Sequence, residues 1–269
     1  MCIDMKHLIS LDSSAVWEQI VSEVKVVIAS KSRASPIIEK FILMREGYQD
    51  ALCHLISSSL QNEFSNSIDI YSVVEHAIRS DSEIVNNGIL DISAFLERDP
   101  ACKCFWEAFL CYKGFRAIQS YRIAHYYWRN GDATLARLIG SIMSDKLSMD
   151  IHPGASIRGG IFVDHGTGIV IGETAIVERD VSILHNVTLG GTGKEKGDRH
   201  PKIGRGVLLG AGAKVLGNIR IGENAKVAAG SIVLEDVPSN VTVVGIPARV
   251  VAKHIGIVPA YNMAQNIEQ

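Results

Sequence analysis

Three short clusters of charged and imidazole side chains stand out in the second half of this 269-residue chain. They read Asp150-Ile-His-Pro, Asp164-His165-Gly-Thr-Gly and Asp198-Arg199-His200-Pro. A histidine beside carboxylates can act as a general base, because the reference pKa of imidazole, about 6.5, lies near neutral pH. A carboxylate on the far ring nitrogen fixes the tautomer and stabilises the charged ring. An arginine can hold a substrate carboxylate through two parallel hydrogen bonds. Together these groups suit a reaction on a small zwitterion, although a lone histidine at a chain bend is more often structural.

The clusters lie in a region where an aliphatic or small apolar residue recurs at every sixth position. These residues are Ile151, Ile157, Val163, Ile169, Ala175, Val181 and Val187, followed by Ile203, Leu209, Val215, Ile221, Val227 and Val233. A period of six is neither the 3.6 residues of an α-helix nor the two of a plain strand. It is typical of a hexapeptide β-helix, in which short strands form coils that stack on one another. With three hexads to a triangular coil, residues eighteen positions apart are expected to stack in columns.

One interruption divides the two series. Val187 and Ile203 are sixteen positions apart, so one hexad has gained ten residues. The additional residues fall within 190–201, which is polar, charged and rich in glycine. We expect a loop extruded from the coils, and a long loop on a rigid scaffold commonly has a function.

Residues 1–148 show a different pattern, with apolar side chains at helical spacing. Ser13-Ser14 can cap a first helix, and Asn130-Gly131 can end a later one. We therefore predict an α+β chain in three parts. These are an N-terminal all-helical domain at 1–148, a left-handed parallel β-helix of hexapeptide repeats at 149–252 with one extruded loop at 190–201, and a flexible C-terminal tail at 253–269.

Composition and charge exclude several classes of protein. A formal net charge of −2 and a pI near 6.5 give no reason to expect binding to nucleic acid or to an anionic membrane. The N-terminus lacks the apolar core of a signal peptide, and no apolar stretch approaches the roughly 20 residues that span a bilayer. Five cysteines, an odd number, predict reduced thiols. Without a signal peptide or a spanning stretch, we expect a cytoplasmic protein. Cys102, Cys104 and Cys111 lack a fourth ligand at zinc-site spacing, so we expect no metal.

Several strings in both regions resemble those of serine O-acetyltransferases. They are Arg98-Asp-Pro-Ala, Tyr112-Lys-Gly-Phe-Arg-Ala, Asp150-Ile-His-Pro, Asp164-His-Gly-Thr-Gly, Val187-Thr-Leu-Gly-Gly-Thr-Gly-Lys194, Gly197-Asp-Arg-His-Pro and Gly245-Ile-Pro-Ala-Arg. The resemblance covers roughly residues 12 to 252. The hexads alone indicate only an acyltransferase-type β-helix, whereas the joint occurrence of Arg-Asp-Pro, Asp-His-x-Thr-Gly and Gly-Asp-Arg-His-Pro is specific to the serine enzymes.

The resemblance implies a transfer of acetyl from acetyl-coenzyme A to the hydroxyl of L-serine, giving O-acetyl-L-serine and coenzyme A in the first step of cysteine biosynthesis. His165 would be the base that takes the hydroxyl proton, and Asp150 would orient it. Asp99, from the helical domain, and Asp164 would hold the substrate ammonium, and Arg199 its carboxylate. Two further residues are expected at the substrate. His200 would lie beside it, and His185 is a candidate for polarising the thioester carbonyl. The expected coenzyme A residues are Gly191, Thr192, Lys194, Ala211 and Ala229.

The family site lies in the groove between neighbouring β-helices, so the resemblance implies a homotrimer, or a hexamer in which the helical domains pair two trimers. L-cysteine is an expected inhibitor, because it would compete for the serine site. Many family members end in an isoleucine that binds O-acetylserine sulfhydrylase. This chain ends in Gln269, and a polar last residue puts that complex in doubt.

Three alternatives remain open from the residues alone. Another hexapeptide acetyltransferase, acting on a sugar, an antibiotic or an acyl carrier, would share the coils and a catalytic histidine without needing a clamp for an amino acid. A purely structural solenoid would leave the polar loop and the Asp–His pairs unexplained. A β-helical zinc carbonic anhydrase needs three converging histidines, and the candidates are His152, His165, His185 and His200.

Overall fold

The computed structural model describes residues 12–61, 67–193 and 196–266. The helices before the repeats are α1 (Ser13–Ala29), α2 (Ser35–Ile38, continued by a π-helical turn at Glu39–Leu43), α3 (Tyr48–Leu60), α4 (Ile70–Ser80), α5 (Ser82–Arg98), α6 (Phe105–Cys111), α7 (Lys113–Arg129) and α8 (Ala133–Leu147). A short helix, α9 (Pro259–Asn262), follows the strands. Within these ranges no helix is both long enough and apolar enough to cross a membrane.

Aspartate side chains begin several of these helices. The carboxylates of Asp12, Asp69, Asp81 and Asp132 accept hydrogen bonds from backbone N–H groups in the first turns of α1, α4, α5 and α8. Each bond satisfies a donor that the first helical turn leaves without a partner. The cap of α1 therefore lies just before the predicted Ser13-Ser14, which form its first turn.

A buried ion pair fastens the helices to the first coil of the repeats. Asp91 of α5 is 0% exposed, and one of its carboxylate oxygens accepts a hydrogen bond from Arg122 Nη2 of α7 at 2.6 Å. The other oxygen accepts from the N–H of Ile161 at 2.8 Å. Arg122 Nη1 also donates to the carbonyl oxygen of Ile157 at 3.1 Å. Because both buried charges have close partners, the pair can hold α5, α7 and the coil together.

Residues 149–253 form a β-helix with three faces. Sheet I contains β1 (Met149–Ile151), β4 (Ile169–Ile171), β7 (Thr188–Gly190), β10 (Lys214–Leu216) and β13 (Ile232–Val233). Sheet II contains β2 (Ser156–Ile157), β5 (Ile176–Val177), β8 (Lys202–Ile203) and β11 (Arg220–Ile221). Sheet III contains β3 (Phe162–Val163), β6 (Ser182–Ile183), β9 (Leu208–Leu209), β12 (Lys226–Val227), β14 (Val241–Gly245) and β15 (Ala248–Lys253), which folds back antiparallel on β14. The prediction of helices followed by a hexapeptide β-helix with an extruded loop is confirmed.

The register between coils corrects one part of that prediction. Ile151 pairs with Ile171, twenty positions on, and the two additional residues lie in the bend at 164–168. Val177 pairs with Ile203, 26 positions on, so the extruded loop adds eight residues to a coil of eighteen rather than ten. The predicted columns are therefore wrong in the first two coils. In the structure, the stacked columns contain Ile171, Val177, Ile183 and Leu189, where we expected Ile169, Ala175, Val181 and Val187.

The segment after β15 differs from the expected flexible tail as far as Asn266. Ala260 of α9 is fully buried, and its N–H donates to the carbonyl oxygen of Gly206 at 3.3 Å. Its carbonyl oxygen accepts a hydrogen bond from Ser182 Oγ at 2.8 Å. These bonds pack α9 against the β-helix. Residues 267–269 lie outside the described ranges.

Candidate functional site

The polar clusters occupy two of the three bends of the coil. We call the bend between sheets III and I the His165 corner; it comprises residues 164–168, 184–187, 210–213 and 228–231. The bend between sheets I and II is the Arg199 corner; it comprises residues 152–155, 172–175 and the described part of the loop 191–201. A strand of sheet I separates the two corners within each coil. The clusters therefore lie on different edges of one chain.

The two-residue excess in the first coil displays His165 at the surface. His165 and Gly166 both adopt left-handed backbone conformations, with φ of 55° and 74°. Positive φ values also occur at other bends of the β-helix, for example at Asn186 and Asn224, and here they turn the chain sharply so that the His165 side chain points away from the coil. Lys113, at the start of α7, supports the bend through a hydrogen bond from Nζ to Thr167 Oγ1 at 2.5 Å. The side chain of His165 is 74% exposed in the single chain, so its ring is accessible for proton transfer.

His185 lies beside His165, one coil further along. The two ring centroids are 5.8 Å apart, and the rings are inclined at 62°. Nδ1 of His185 is buried and has no hydrogen-bond partner in the described part of the chain. The structure thus brings together two imidazoles that are twenty positions apart in the sequence.

Two carboxylates share a cavity beside this corner. Asp164 Oδ1 lies 3.6 Å from His165 Nε2. Asp99, at the C-terminal end of α5, lines the same cavity of about 650 Å³. Burial raises the pKa of Asp164, and the charge of Asp99 raises it further, while His165 and His185 oppose these effects. A cation between the two carboxylates would relieve their repulsion, so this is a site suited to an ammonium group.

At the Arg199 corner, Glu173-Thr174 stacks on Arg199-His200, as the 26-residue register requires. Glu173 Oε2 accepts a hydrogen bond from Arg199 Nη2 at 2.9 Å, and this pairing lowers the pKa of Glu173. Thr174 Oγ1 accepts from the backbone N–H of Arg199 at 3.0 Å and from that of His200 at 3.1 Å. Because a guanidinium has five N–H donors, the pairing with Glu173 leaves donors for a substrate carboxylate.

His200 is held in one tautomer at this corner. The residue is only 7% exposed, and the N–H of Thr174 donates to its Nδ1 at 3.1 Å. The neutral ring therefore carries its proton on Nε2. Burial lowers the pKa of His200, and the positive charges of Arg199 and Lys202 lower it further. The ring packs so closely on Gly172 that a Cβ there would overlap it. At pH 7, His200 is thus a neutral N–H donor rather than a base.

Asp150 lies at the centre of β1 with its side chain exposed. It lines a cavity of about 330 Å³ together with His152 and with Arg137 and Asp145 of α8. Within one chain, no described contact joins Asp150 to His165. The structure therefore groups Asp150 with the Arg199 corner, and the predicted Asp150–His165 pair is not formed inside a single chain.

The residues expected to bind coenzyme A are divided between the same two corners. Ala211 and Ala229 continue the column that begins with His165 and His185, since Gly212 N donates to His185 O at 2.9 Å and Gly230 N to Ala211 O at 2.8 Å. The N–H groups of Ala211 and Ala229 themselves have no acceptor among the described residues. Gly191 and Thr192 lie at the start of the extruded loop, and Lys194 lies outside the described ranges. An open corner with free N–H donors suits an extended chain of amide groups.

Three residues of these corners were not predicted from the sequence: Lys113, Glu173 and Thr174. Glu173 and Thr174 could have been found through their separation of 26 positions from Arg199 and His200, which is the length of this coil. An insertion of ten residues, as first inferred, would have set Arg199 opposite Ile171 instead. Lys113 belongs to one of the family-like strings, but nothing in that string indicates its partner.

Comparisons with known proteins agree across both regions. The model of the family described as "Serine acetyltransferase, N-terminal" matches residues 16–120, and that described as "Bacterial transferase hexapeptide (six repeats)" matches residues 200–235. The serine acetyltransferase of Haemophilus influenzae is 44% identical over 250 residues, which are 93% of this chain and 94% of the relative.

Solved structures agree with the sequence relatives. The crystal structure of serine acetyltransferase from Vibrio cholerae matches with a TM-score of 0.92 at 42% identity, covering 95% of this chain and 99% of that one. A serine acetyltransferase solved in complex with cysteine matches with a TM-score of 0.91 at 43% identity, covering 94% and 98%. Since this identity extends over the helices and the coils alike, the chain belongs to the serine acetyltransferase family and is an acyltransferase.

Proposed function

We propose that the protein transfers acetyl from acetyl-coenzyme A to the hydroxyl of L-serine, releasing O-acetyl-L-serine and coenzyme A as the first step of cysteine biosynthesis. The observation that carries this proposal is the pair Asp99 and Asp164, which line one cavity next to the accessible ring of His165 and would hold the ammonium group of serine. Related serine acetyltransferases support the substrates: that of Neisseria gonorrhoeae was solved with serine and that of Brucella abortus with coenzyme A.

The complete site requires two copies of the chain. One chain offers an ammonium site and a base at the His165 corner, and a carboxylate clamp at the Arg199 corner on a different edge. A threefold arrangement that sets the His165 corner of one protomer against the Arg199 corner of its neighbour would join the halves. It would also bring Asp150 of the neighbour to the exposed ring of His165. We therefore propose a homotrimer, with a hexamer formed by pairing of the helical regions.

Exposed apolar side chains support a further contact through the helices. Val26 of α1 is 72% exposed, Ile37 of α2 is 62% exposed and Met44, just after the π-helical turn, is 66% exposed. Apolar surface of this kind is a common feature of subunit interfaces.

The chemistry is a direct transfer between the two substrates. His165 takes the hydroxyl proton while the serine oxygen attacks the thioester carbonyl, and the tetrahedral intermediate then expels the coenzyme A sulfur. The proton on His165 goes to the departing thiolate, which leaves the ring neutral for the next cycle. General-base assistance of this kind contributes about 10²–10⁴ in rate. Asp150 of the neighbouring protomer would stabilise the charged ring, as a carboxylate does in a serine–histidine–aspartate triad.

The carboxylate of serine would bind at the Arg199 corner. Arg199 offers a two-point contact, and the neutral His200 offers one N–H from Nε2. Glu173 limits how far the guanidinium can turn, because it already holds Nη2 at 2.9 Å. His185, which lies beside His165, is a candidate for polarising the thioester carbonyl.

Acetyl-coenzyme A would lie along the His165 corner, with its pantetheine arm on the N–H groups of Ala211 and Ala229. The extruded loop of the neighbouring protomer, which begins with Gly191 and Thr192, would cover it; Lys194, which is expected to bind coenzyme A as well, lies outside the described ranges. Closing this groove would exclude water, which otherwise hydrolyses the thioester.

L-cysteine differs from L-serine only in its thiol, so the same ammonium and carboxylate sites would accept it as an inhibitor. The relative solved with cysteine supports this proposal. The expectation about a complex with O-acetylserine sulfhydrylase rests on Gln269, which lies outside the described ranges. The cytoplasm stays the expected compartment.

Thiol release from acetyl-coenzyme A tests the proposal directly. Release should depend on L-serine, should be absent with galactosides or amino sugars, and should fall when L-cysteine is added. Release that is equal with all acceptors would contradict the assignment. Membership of the serine acetyltransferase family already decides against the zinc carbonic anhydrase and the purely structural solenoid.

A further inference from the structure

Part of the segment 261–265 forms a wall of the cavity that is lined by Asp99 and Asp164. The lining of this cavity includes Tyr261, Asn262, Met263 and Gln265 from α9 and the residues just after it. The segment is held in place by the two hydrogen bonds of Ala260 to the β-helix. A polar tail with no apolar period thus takes part in the substrate cavity.

Arg98 connects this wall to the ammonium site. It is the last residue of α5, directly before Asp99, and its side chain is 1% exposed. Nη1 donates to Ser182 Oγ at 3.2 Å, and Nη2 lies 3.8 Å from Asp180 Oδ1. Ser182 in turn donates to the carbonyl oxygen of Ala260. One buried guanidinium therefore contacts both the coil and the residues that anchor the tail.

The ring of Tyr261 covers this guanidinium. The carbon at the centre of the guanidinium of Arg98 lies 4.4 Å from the ring centroid of Tyr261, which is within the range of a cation–π contact. Nε of Arg98 is buried and has no hydrogen-bond partner among the described residues. The charge is therefore stabilised in part by the aromatic face, and a buried arginine is costly when such compensation is lost.

We propose that Tyr261 is a positioning residue for the substrate ammonium. By holding the guanidinium of Arg98 against the β-helix, it fixes the end of α5 and so the place of Asp99 opposite Asp164. This inference rests on the proposed function, because it assigns Tyr261 to the serine site. Tyr261 need not touch the reacting atoms.

The test compares Tyr261→Leu with Tyr261→Phe in the full-length protein, by steady-state kinetics with each substrate varied. The leucine variant loses the aromatic face, so the KM for serine should rise roughly threefold to thirtyfold, as expected for loss of a partly desolvated cation–π contact. Its kcat and its KM for acetyl-coenzyme A should change by less than about twofold, because His165 and the N–H groups of Ala211 and Ala229 lie outside the contact between Arg98 and Tyr261. Tyr261→Phe keeps the aromatic face but loses the hydroxyl, which interacts with Arg98, Arg205 and Asp180, so its KM for serine should rise clearly less than that of the leucine variant.

Two further variants keep the test decisive. Ile255→Ser alters the same tail at a side chain that is 96% exposed, so it should leave all constants unchanged. If Tyr261→Leu does not fold, the test uses Tyr261→Trp instead. Tryptophan is a stronger cation–π partner than tyrosine, so the tryptophan variant should bind serine at least as tightly as the wild type.

A folded leucine variant with an unchanged KM for serine would overturn the proposal, as would a tryptophan variant with a large loss of serine affinity. Both results leave the proposed function intact. A wild-type protein without serine-dependent thiol release would instead refute the function itself.

Discussion

Replacing Thr174 by valine should impair the carboxylate clamp without changing the shape of the site. The two side chains have nearly the same volume, but valine cannot accept the hydrogen bonds that Thr174 Oγ1 receives from the N–H groups of Arg199 and His200. Nor can valine donate a hydrogen bond to His200 Nδ1, which lies 2.9 Å from Thr174 Oγ1. A hydrogen bond within a protein contributes about 1 kcal/mol net, so three lost bonds weaken the corner by about 3 kcal/mol. If this loss is expressed fully in the binding of the transition state, kcat/KM for serine falls roughly 150-fold, because about 1.4 kcal/mol corresponds to a factor of ten.

The assay is thiol release at limiting serine and saturating acetyl-coenzyme A, with Thr174→Ser as the matched control. Serine retains the hydroxyl oxygen, so this variant should remain within about threefold of the wild type. Titration with acetyl-coenzyme A should give the same KM in all three proteins within about threefold, since Ala211 and Ala229 lie at the other corner and the hydrogen bonds of Thr174 Oγ1 go to Arg199 and His200 rather than to Gly191 or Thr192. Equal kcat/KM for the valine and serine variants would refute the reasoning that Thr174 positions Arg199 and His200.

His165→Ala should lower turnover by about 10²–10⁴ while acetyl-coenzyme A still binds in calorimetry, and unchanged turnover would exclude this ring as the base. Because folding raises the pKa of Asp164, the folded protein holds that proton more tightly than the unfolded one, and this stabilisation is lost as the pH rises through the raised pKa. Asp164→Asn should therefore raise the melting temperature of the free protein at pH 7 while weakening serine binding, and a lower melting temperature would contradict the assigned cause. Asp91→Ala should reduce the free energy of unfolding by about 3–5 kcal/mol in chemical denaturation, since it leaves the buried charge of Arg122 without its partner; a loss below about 1 kcal/mol would show that the pair does not hold the helices to the coil.

The fold could be predicted from the sequence because the hexads are a local signal, and the candidate site residues could be proposed because the polar clusters are local signals too. The register between the coils could not be predicted, because both possible phases of the hexad repeat are apolar. Ile169 and Ile171 are each 1% exposed, so a slip of two residues changes neither burial nor hydrophobicity. Only the pairing across coils distinguishes them, and that pairing is not a property of any single segment.

The same limit explains the residues that were missed. Glu173 and Thr174 act on a dipeptide 26 positions away, so their role becomes visible only when the loop length is known. The packing of the tail was missed for a related reason. Ala260 and Tyr261 make individual contacts with Ser182 and Arg98, and individual contacts leave no periodic pattern in a sequence.

The lengthened bend at residues 164–168 has a consequence for how such solenoids acquire chemistry. Two extra residues expose an imidazole while the ladders on either side stay parallel and intact. Because each repeat of a solenoid contacts only its neighbours, a small insertion of this kind perturbs one coil and leaves the others unchanged. A reactive group can therefore be added at any coil, and a short insertion is a simple way to add one, in evolution or in protein engineering.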